Sequence, residues 1–347
     1  MFKPSVNIIR DTPEALNFLV TPNAARVYQI IKDNFLFGNR AFSLIGTYGT
    51  GKSSFLLALE KHLSDTSGIF ESSFSADDQF DFIKILGGYD SLISTVAKEI
   101  NATDVTEKSI LDRLSETKGE KNRVFILDEF GKFLEYAGEH APERELYFIQ
   151  LLAEYASEPS NQLIFITTLH QGFDAYATGL NQRQRNEWEK VKGRFTEIPF
   201  NEPVEQLIHI ASDRIPSLIP KKSFSNLSLS LSLAEKKNIL KFRLNDRDRL
   251  AIPRKLLPLD IISVFVLAKA IQEFGQNERS LFSFLESANH LGLKEFLEEG
   301  KGEMYDLVQV YDYLAFNFYS AINSRFNPHL IRWNHIEESI DQMPCAP

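Results

Sequence analysis

The chain has 347 residues, 43% of them hydrophobic and 24% charged, with a net charge of -9 and a single cysteine. That balance is ordinary for a folded soluble protein; it excludes wholesale disorder, a disulfide framework, a cysteine-based metal centre and a surface coated with nucleic acid, although local basic patches remain open. The length predicts two domains, the opening residues lack the unbroken apolar run of a signal peptide, and the longest oily stretch, Ile261–Ile271, is broken by Lys269 and too short to span a bilayer, so a cytoplasmic protein with no membrane contact is expected.

In chain order, the spacing of Ala25, Val27, Ile30, Ile31 and Phe35 predicts a helix over 21–37. Ala41–Ile45 reads as an apolar strand. It runs into Gly46-Thr47-Tyr48-Gly49-Thr50-Gly51-Lys52-Ser53, which fills every fixed position of the phosphate-cradling pattern G-x-x-x-x-G-K-[ST]. Ser54–Glu60 follows as the helix that such a loop opens. The glycines let the backbone wrap closely, so that successive N–H groups and the helix N-terminus point at phosphate oxygens. Gly46, Thr47, Tyr48, Gly49, Thr50, Gly51, Lys52, Ser53 and Ser54 are therefore the expected nucleotide cradle. Lys52 is expected to reach the β- and γ-phosphates, and the Ser53 hydroxyl to ligate the magnesium ion that bridges them.

Further along, 68–75 is read as a second strand, 80–100 and 101–113 as helices, and 116–122 as a polar turn. Val124-Phe125-Ile126-Leu127-Asp128-Glu129 is an apolar run suited to a buried parallel strand that ends in two acids. Asp128 is placed to hold the magnesium shell, and Glu129 to orient or deprotonate an attacking water. An amphipathic helix over 144–156 and a second buried strand over 162–168 follow. Strands alternating with helices imply a parallel sheet covered on both faces, with ligand sites at the carboxyl ends of its strands.

Thr168, with its neighbours Thr167 and His170, ends a strand beside the Asp128 strand and is a candidate sensor of the γ-phosphate; a satisfied strand-end hydroxyl is the ordinary alternative. Arg194 is a candidate arginine finger offered to a neighbouring subunit, against an ordinary surface arginine. Arg183, Arg185, Lys190, Lys192 and Arg194 surround Trp188 in a mixture that could touch phosphates and a base, although a solvated helix face or a subunit contact is the commoner meaning of such a run. No guanine-reading N-K-x-D element and no L-S-G-G-Q signature is present, which makes ATP the expected nucleotide. No histidines are spaced as a metal pair, and Ser53 and Ser54 lack the partners of a nucleophile.

Beyond Pro199 the pattern is helical, over 204–215, 259–274, 280–291 and 303–324, while the alternating Leu/Ser stretch 223–233 is an edge strand or a linker. The expected fold class is α/β: a P-loop αβα sandwich with a parallel sheet over residues 1–200, and an all-helical lid domain over 201–347.

Together, the Gly46–Ser53 loop, the Val124–Glu129 strand, the polar strand end near Thr168, Gly193-Arg194-Phe195 and the helical second half resemble the AAA+ ATPases, of the additional-strand (ASCE) type. Asp128–Glu135, Leu169-His170-Gln171 and Gln276–Leu285 are similar to the large ATPases of bacterial phage-resistance systems of the BREX type, with a looser similarity to origin-recognition and initiator ATPases. The resemblance implies ATP and Mg2+ as cofactors and a lid whose arginine, Arg279 here, contacts the γ-phosphate. It also implies ATP hydrolysis that switches or drives a partner complex, assembled as a homo-oligomer or with other subunits of a defence complex and reaching DNA through that complex. An initiator- or STAND-like occupancy switch and a nucleotide-stabilised scaffold are the alternatives. Members of the phage-resistance group are far longer, and the helix-like 333–343 segment would lead there into further domains, so the chain reads as an excerpt or as a compact relative.

Overall fold

A computed structural model describes residues 6–13, 18, 20–65, 68–71, 74, 79–140, 142–177, 181–201, 204–215, 246–274, 278–287, 289–299, 304–323, 330–331 and 335. The expected segments over 223–233 and 333–343 lie outside them, apart from His335. The chain divides into two compact units, one of residues 5–201 and one that takes in 202–347.

The first unit is a five-stranded sheet in the order β2-β3-β4-β1-β5, every pairing parallel. The strands are β1 (Ala41–Ile45), β2 (Phe80–Leu86), β3 (Asn122–Asp128), β4 (Leu163–Leu169) and β5 (Thr196–Pro199). Parallel strands need crossovers, which α1 (Pro22–Leu36), α2 (Lys52–Asp65), α3 (Leu92–Glu99), α4 (Glu107–Glu116), α5 (Gly131–Glu139), α6 (Pro142–Ser157) and α7 (Gln182–Lys192) supply or flank. β4 separates β1 from β3, so the strand carrying the glycine-rich loop and the strand carrying the paired acids lie one strand apart.

The sheet is buried on both faces because alternate residues of each strand are apolar in both directions. Phe42, Leu44, Val124, Ile126, Ile164 and Ile166 pack with α1 and α2 on one face. Ala41, Phe125, Leu127, Leu163 and Phe165 pack with the helices from α3 to α7 on the other. Aromatic rings fill both layers, as the many phenylalanines predict. Helix starts are fixed locally: Thr21 Oγ1 accepts from the Ala24 N–H at 3.0 Å ahead of Pro22, and Asn181 and Gln184 form a capping box on α7. The buried Glu145 of α6 accepts from Ser91 Oγ at 2.5 Å and the Leu92 N–H at 3.1 Å, which places a carboxylate at the N-terminus of α3.

Two expectations are corrected. Residues 80–86 form β2, where a helix over 80–100 is expected; Phe80, Phe82 and Ile85 carry enough apolar surface for either period, and pairing along the whole of β3 decides for the strand. The strand expected over 68–75 is absent among its described residues, which form bends. Thr196–Pro199, a segment for which the sequence pattern gives no element, pairs parallel to β1 as β5.

The second unit is helical among its described residues. α8 (Val204–Arg214) and the helices Asp246–Leu256, Ile261–Phe274, Glu278–Glu286, Leu293–Glu299 and Leu307–Asn317 enclose their own core, which includes Leu207, Ile208, Leu256, Ala268, Ile271 and Phe284. The fold class expected from the sequence, a P-loop αβα sandwich followed by an all-helical region, is the one found. Among the described residues no helix is long and apolar enough to cross a membrane.

Candidate functional site

The glycine-rich loop leaves β1 and enters α2 at Lys52. Gly49 (φ 74) and Gly51 (φ 84) occupy the left-handed region, where a side chain is strained. At Gly46 a Cβ would lie 2.2 Å from the Phe200 carbonyl oxygen, because β5 leaves the sheet directly against the loop; the Phe200 N–H donates to the Ile45 carbonyl at 2.6 Å. Lys52 is 6% exposed, and its ammonium donates to the carbonyls of Gly46 at 2.5 Å and Thr47 at 2.9 Å. Thr50 Oγ1 donates to the Thr47 carbonyl at 3.0 Å. Burial lowers the Lys52 pKa to about 8, against the opposing pull of Asp128 and Glu129.

The acids meet the loop across β4. Ser53 Oγ donates to Asp128 Oδ2 at 2.7 Å, and Thr168 Oγ1 donates to Asp128 Oδ1 at 2.6 Å. Both carboxylate oxygens of Asp128, which is 3% exposed, are thereby held. The backbone then turns sharply: Glu129 has φ 54, and its N–H donates to Asp128 Oδ1 at 3.1 Å and to Thr168 Oγ1 at 2.9 Å. The Phe130 N–H donates to the Thr168 carbonyl at 3.0 Å. The carboxylate of Glu129 pairs with Lys132, the second residue of α5, and that contact raises the Lys132 pKa. Lys52, Ser53, Asp128, Glu129 and Thr168 are thus one constellation at the carboxyl edge of the sheet.

Arg194 is not part of it. It precedes β5 at the opposite, amino edge and pairs with Glu154 of α6 at 2.8 Å. The basic run around it is not a stacking surface: Trp188 is 1% exposed and donates its indole N–H to the Phe173 carbonyl at 3.0 Å. Lys190 pairs with Glu187 and Lys192 with Asp174. The apolar ring belongs to the core, and these cations have ordinary partners. Arg279 lies at the start of the helix Glu278–Glu286 in the helical unit, and its side chain is outside the described residues.

Three residues at the site carry no signal in the motif patterns. Gly87, just past β2, donates its N–H to the Asp128 carbonyl at 2.7 Å, and a Cβ there would lie 2.1 Å from the Glu129 carbonyl oxygen. The Gly87-Gly88 pair that closes an apolar run is the clue to it. Lys132 holds the Glu129 carboxylate, legible only as an acid and a lysine three residues apart once a helix is placed there. Tyr176 packs its hydroxyl over Gly131, where a Cβ would lie 2.3 Å from it, and nothing in the sequence marks that contact.

The donor set suits a hard divalent cation and a phosphate chain. One carboxylate and one hydroxyl, both oxygen, stand beside a loop with no room for a Cβ at its entry, and magnesium is usually held by one or two carboxylates together with phosphate oxygens. No group of three or more histidine, cysteine or acidic side chains able to form a closed metal cage occurs among the described residues.

No protein-family model matches the chain, and no curated protein matches it in sequence. Among solved structures, the chain is similar to the ORC2 protein of Aeropyrum pernix in its ADPNP-ADP complexes (13% identity, 95% of this chain and 90% of that chain, TM-score 0.38). It is similar also to domain III of the Thermotoga maritima replication initiation protein DnaA (12% identity, 88% and 96%, TM-score 0.41) and to PCH-2 of C. elegans (13% identity, 88% and 66%, TM-score 0.39). Likenesses this distant say nothing about what the site does.

Proposed function

We propose that the chain is an AAA+-type ATPase that binds ATP with Mg2+ at the carboxyl edge of its sheet and hydrolyses it to switch or drive a partner complex. The observation that carries this reading is the 2.7 Å hydrogen bond from Ser53 to Asp128, which joins the end of the phosphate-cradling loop to the acid-bearing strand. In this reading Gly46–Gly51 present backbone N–H groups to the phosphates, and Lys52, still protonated at neutral pH, meets the β- and γ-oxygens with a mobile point charge. Ser53 and Asp128 would hold the metal, which when bound would supply positive charge to offset what develops on the phosphates. Glu129 takes the proton of the attacking water. Thr168 donates to the Asp128 carboxylate and accepts from the Glu129 backbone N–H, which supports a role in positioning the strand end that carries both acids.

The same reading extends to a cytoplasmic assembly, with Arg194 offered in trans from the amino edge and Arg279 contacting the γ-phosphate from a lid. The nine-strong excess of negative charge favours contact with DNA through other subunits rather than directly. A role in bacterial anti-phage defence rests on the sequence resemblance at Asp128–Glu135, Leu169–Gln171 and Gln276–Leu285. Calorimetry with ATP and Mg2+ and steady-state phosphate release, each on wild type and Lys52→Ala, test the site. The expected result is micromolar uptake and measurable turnover, with hydrolysis lowered by on the order of 10²–10³ in the variant. Uptake with phosphate release indistinguishable between the two proteins identifies a nucleotide-stabilised scaffold instead.

A further inference from the structure

At the tip of the glycine-rich loop, the ring of Tyr48 lies on the ring of His170, with centroids 3.4 Å apart and planes 24° apart. Tyr48 is otherwise 56% exposed. Lys52 and Thr50 tie the loop to its own carbonyls, Ser53 ties its end to Asp128, and the stack joins its tip to the exit of β4. On the far side of the contact, His170 follows Leu169, whose carbonyl accepts the Gly46 N–H at 3.0 Å. The loop is thus anchored to β4 at its first glycine by the backbone and at its third residue by an aromatic face.

His170 itself makes no use of one of its polar atoms: Nδ1 is buried without a hydrogen-bond partner. Burial and the nearby Lys52 ammonium push the ring's pKa down to about 4, so the imidazole is neutral near pH 7. A neutral ring that stacks flat on a tyrosine, with a ring nitrogen unpartnered, is placed by its face and not by its hydrogen bonds.

Building on the nucleotide reading above, we propose that His170 is a positioning residue that holds the phosphate-cradling loop through its stack on Tyr48, and that it acts on nucleotide binding by ring contact rather than by touching the terminal phosphate. The loop cradles the phosphates that ATP and ADP share. A loosened tip therefore weakens both nucleotides alike, whereas loss of a contact to the terminal phosphate weakens ATP alone. The two roles also differ in what replaces histidine: phenylalanine keeps a stacking face and has no ring nitrogen.

The test is Kd by calorimetry for ATP and for ADP, with Mg2+, on wild type, His170→Ala, His170→Phe, Tyr48→Ala and the double variant His170→Ala/Tyr48→Ala, with thermal melting to confirm that each is folded. His170→Ala is expected to raise both Kd values by roughly two- to tenfold, the range of an aromatic pair. His170→Phe is expected within about twofold of wild type, Tyr48→Ala to match His170→Ala, and the double variant to be no weaker than either single one. The proposal is overturned by a loss confined to ATP, by His170→Phe binding as weakly as His170→Ala, or by His170→Ala binding as tightly as wild type while Lys52→Ala does not bind. Wild-type protein that takes up neither nucleotide overturns the nucleotide reading, and this role with it. Should His170→Ala fail to fold, the comparison of His170→Phe with Tyr48→Ala decides.

Discussion

The amino and carboxyl edges of the sheet are built from the same strands, yet their polar side chains are used differently. At the amino edge charges settle into ordinary structural contacts: Arg123 donates to the Leu114 carbonyl at 2.7 Å, Arg40 to that of Pro159 at 3.2 Å, Lys121 pairs with Asp81 and Arg194 with Glu154. At the carboxyl edge a lysine is buried among carbonyls and two acids follow one another, the first of them buried with both its oxygens bound by hydroxyls. Arrangements of the second kind are individually unfavourable and persist only where the surrounding structure imposes them, which is why they mark sites of chemistry. The first kind holds strands and helices in place.

The contrast can be tested from its strongest point downward. Glu129→Gln leaves the fold's contacts nearly unchanged and removes the base, so ATP turnover is expected to fall by about 10²- to 10⁴-fold while ATP uptake persists, read by phosphate release and calorimetry in parallel. Loss of uptake as well would mean that Glu129 acts on the loop rather than on water. Thr168→Val deletes the hydroxyl that serves Asp128 and the Glu129 N–H at once; a cost of about 1–3 kcal/mol in urea unfolding is expected, with slower hydrolysis. A variant as stable as wild type would show that the two acids are held by the backbone alone.

A smaller effect comes from His170. Its folded-state pKa lies near 4, below the ordinary value of 6.5, so between these values the unfolded chain binds a proton that the folded chain refuses. This group's contribution to stability is therefore complete above pH 6.5 and is lost as the pH falls toward 4. His170→Phe lacks it, and the difference in unfolding free energy between variant and wild type should change across that window by on the order of 1 kcal/mol once solvent screening of the half-buried ring is allowed for. A difference independent of pH there would place the ring in solvent. The smallest effect belongs to the amino edge: Arg194→Ala is expected to cost at most about 1 kcal/mol, because its partnership with Glu154 is a surface ion pair. Nucleotide affinity of the isolated chain should not move, and a fall in hydrolysis that appears only as protein concentration rises would identify a residue used by a neighbouring copy.

What was legible in the sequence follows the same division. The loop at Gly46–Ser53 and the strand ending at Asp128-Glu129 were readable because their chemistry fixes residue types at fixed spacings, and the buried strands β1, β3 and β4 because an unbroken apolar run has few other uses. β2 was misread as helix since Phe80–Leu86 satisfies both periods locally, and only pairing with β3, a contact distant in sequence, selects one. Trp188 among cations left a patch and a solvated helix face both open, because composition does not say which way a helix side chain points; the ring is buried. Gly87 under Glu129 and His170 on Tyr48 join segments brought together only by the fold, while Lys132 reaches the Glu129 carboxylate locally, once α5 is placed to start between them.

Gly87 carries one consequence beyond its own strand. Because the carbonyl of Glu129 fills the space a methyl group would need at position 87, the orientation of the second acid is inherited from the neighbouring β2. Any redesign of β2, a thermostabilising alanine included, would therefore be felt first in turnover, and a substitution remote from every phosphate-handling side chain would mimic a lesion in the acid itself.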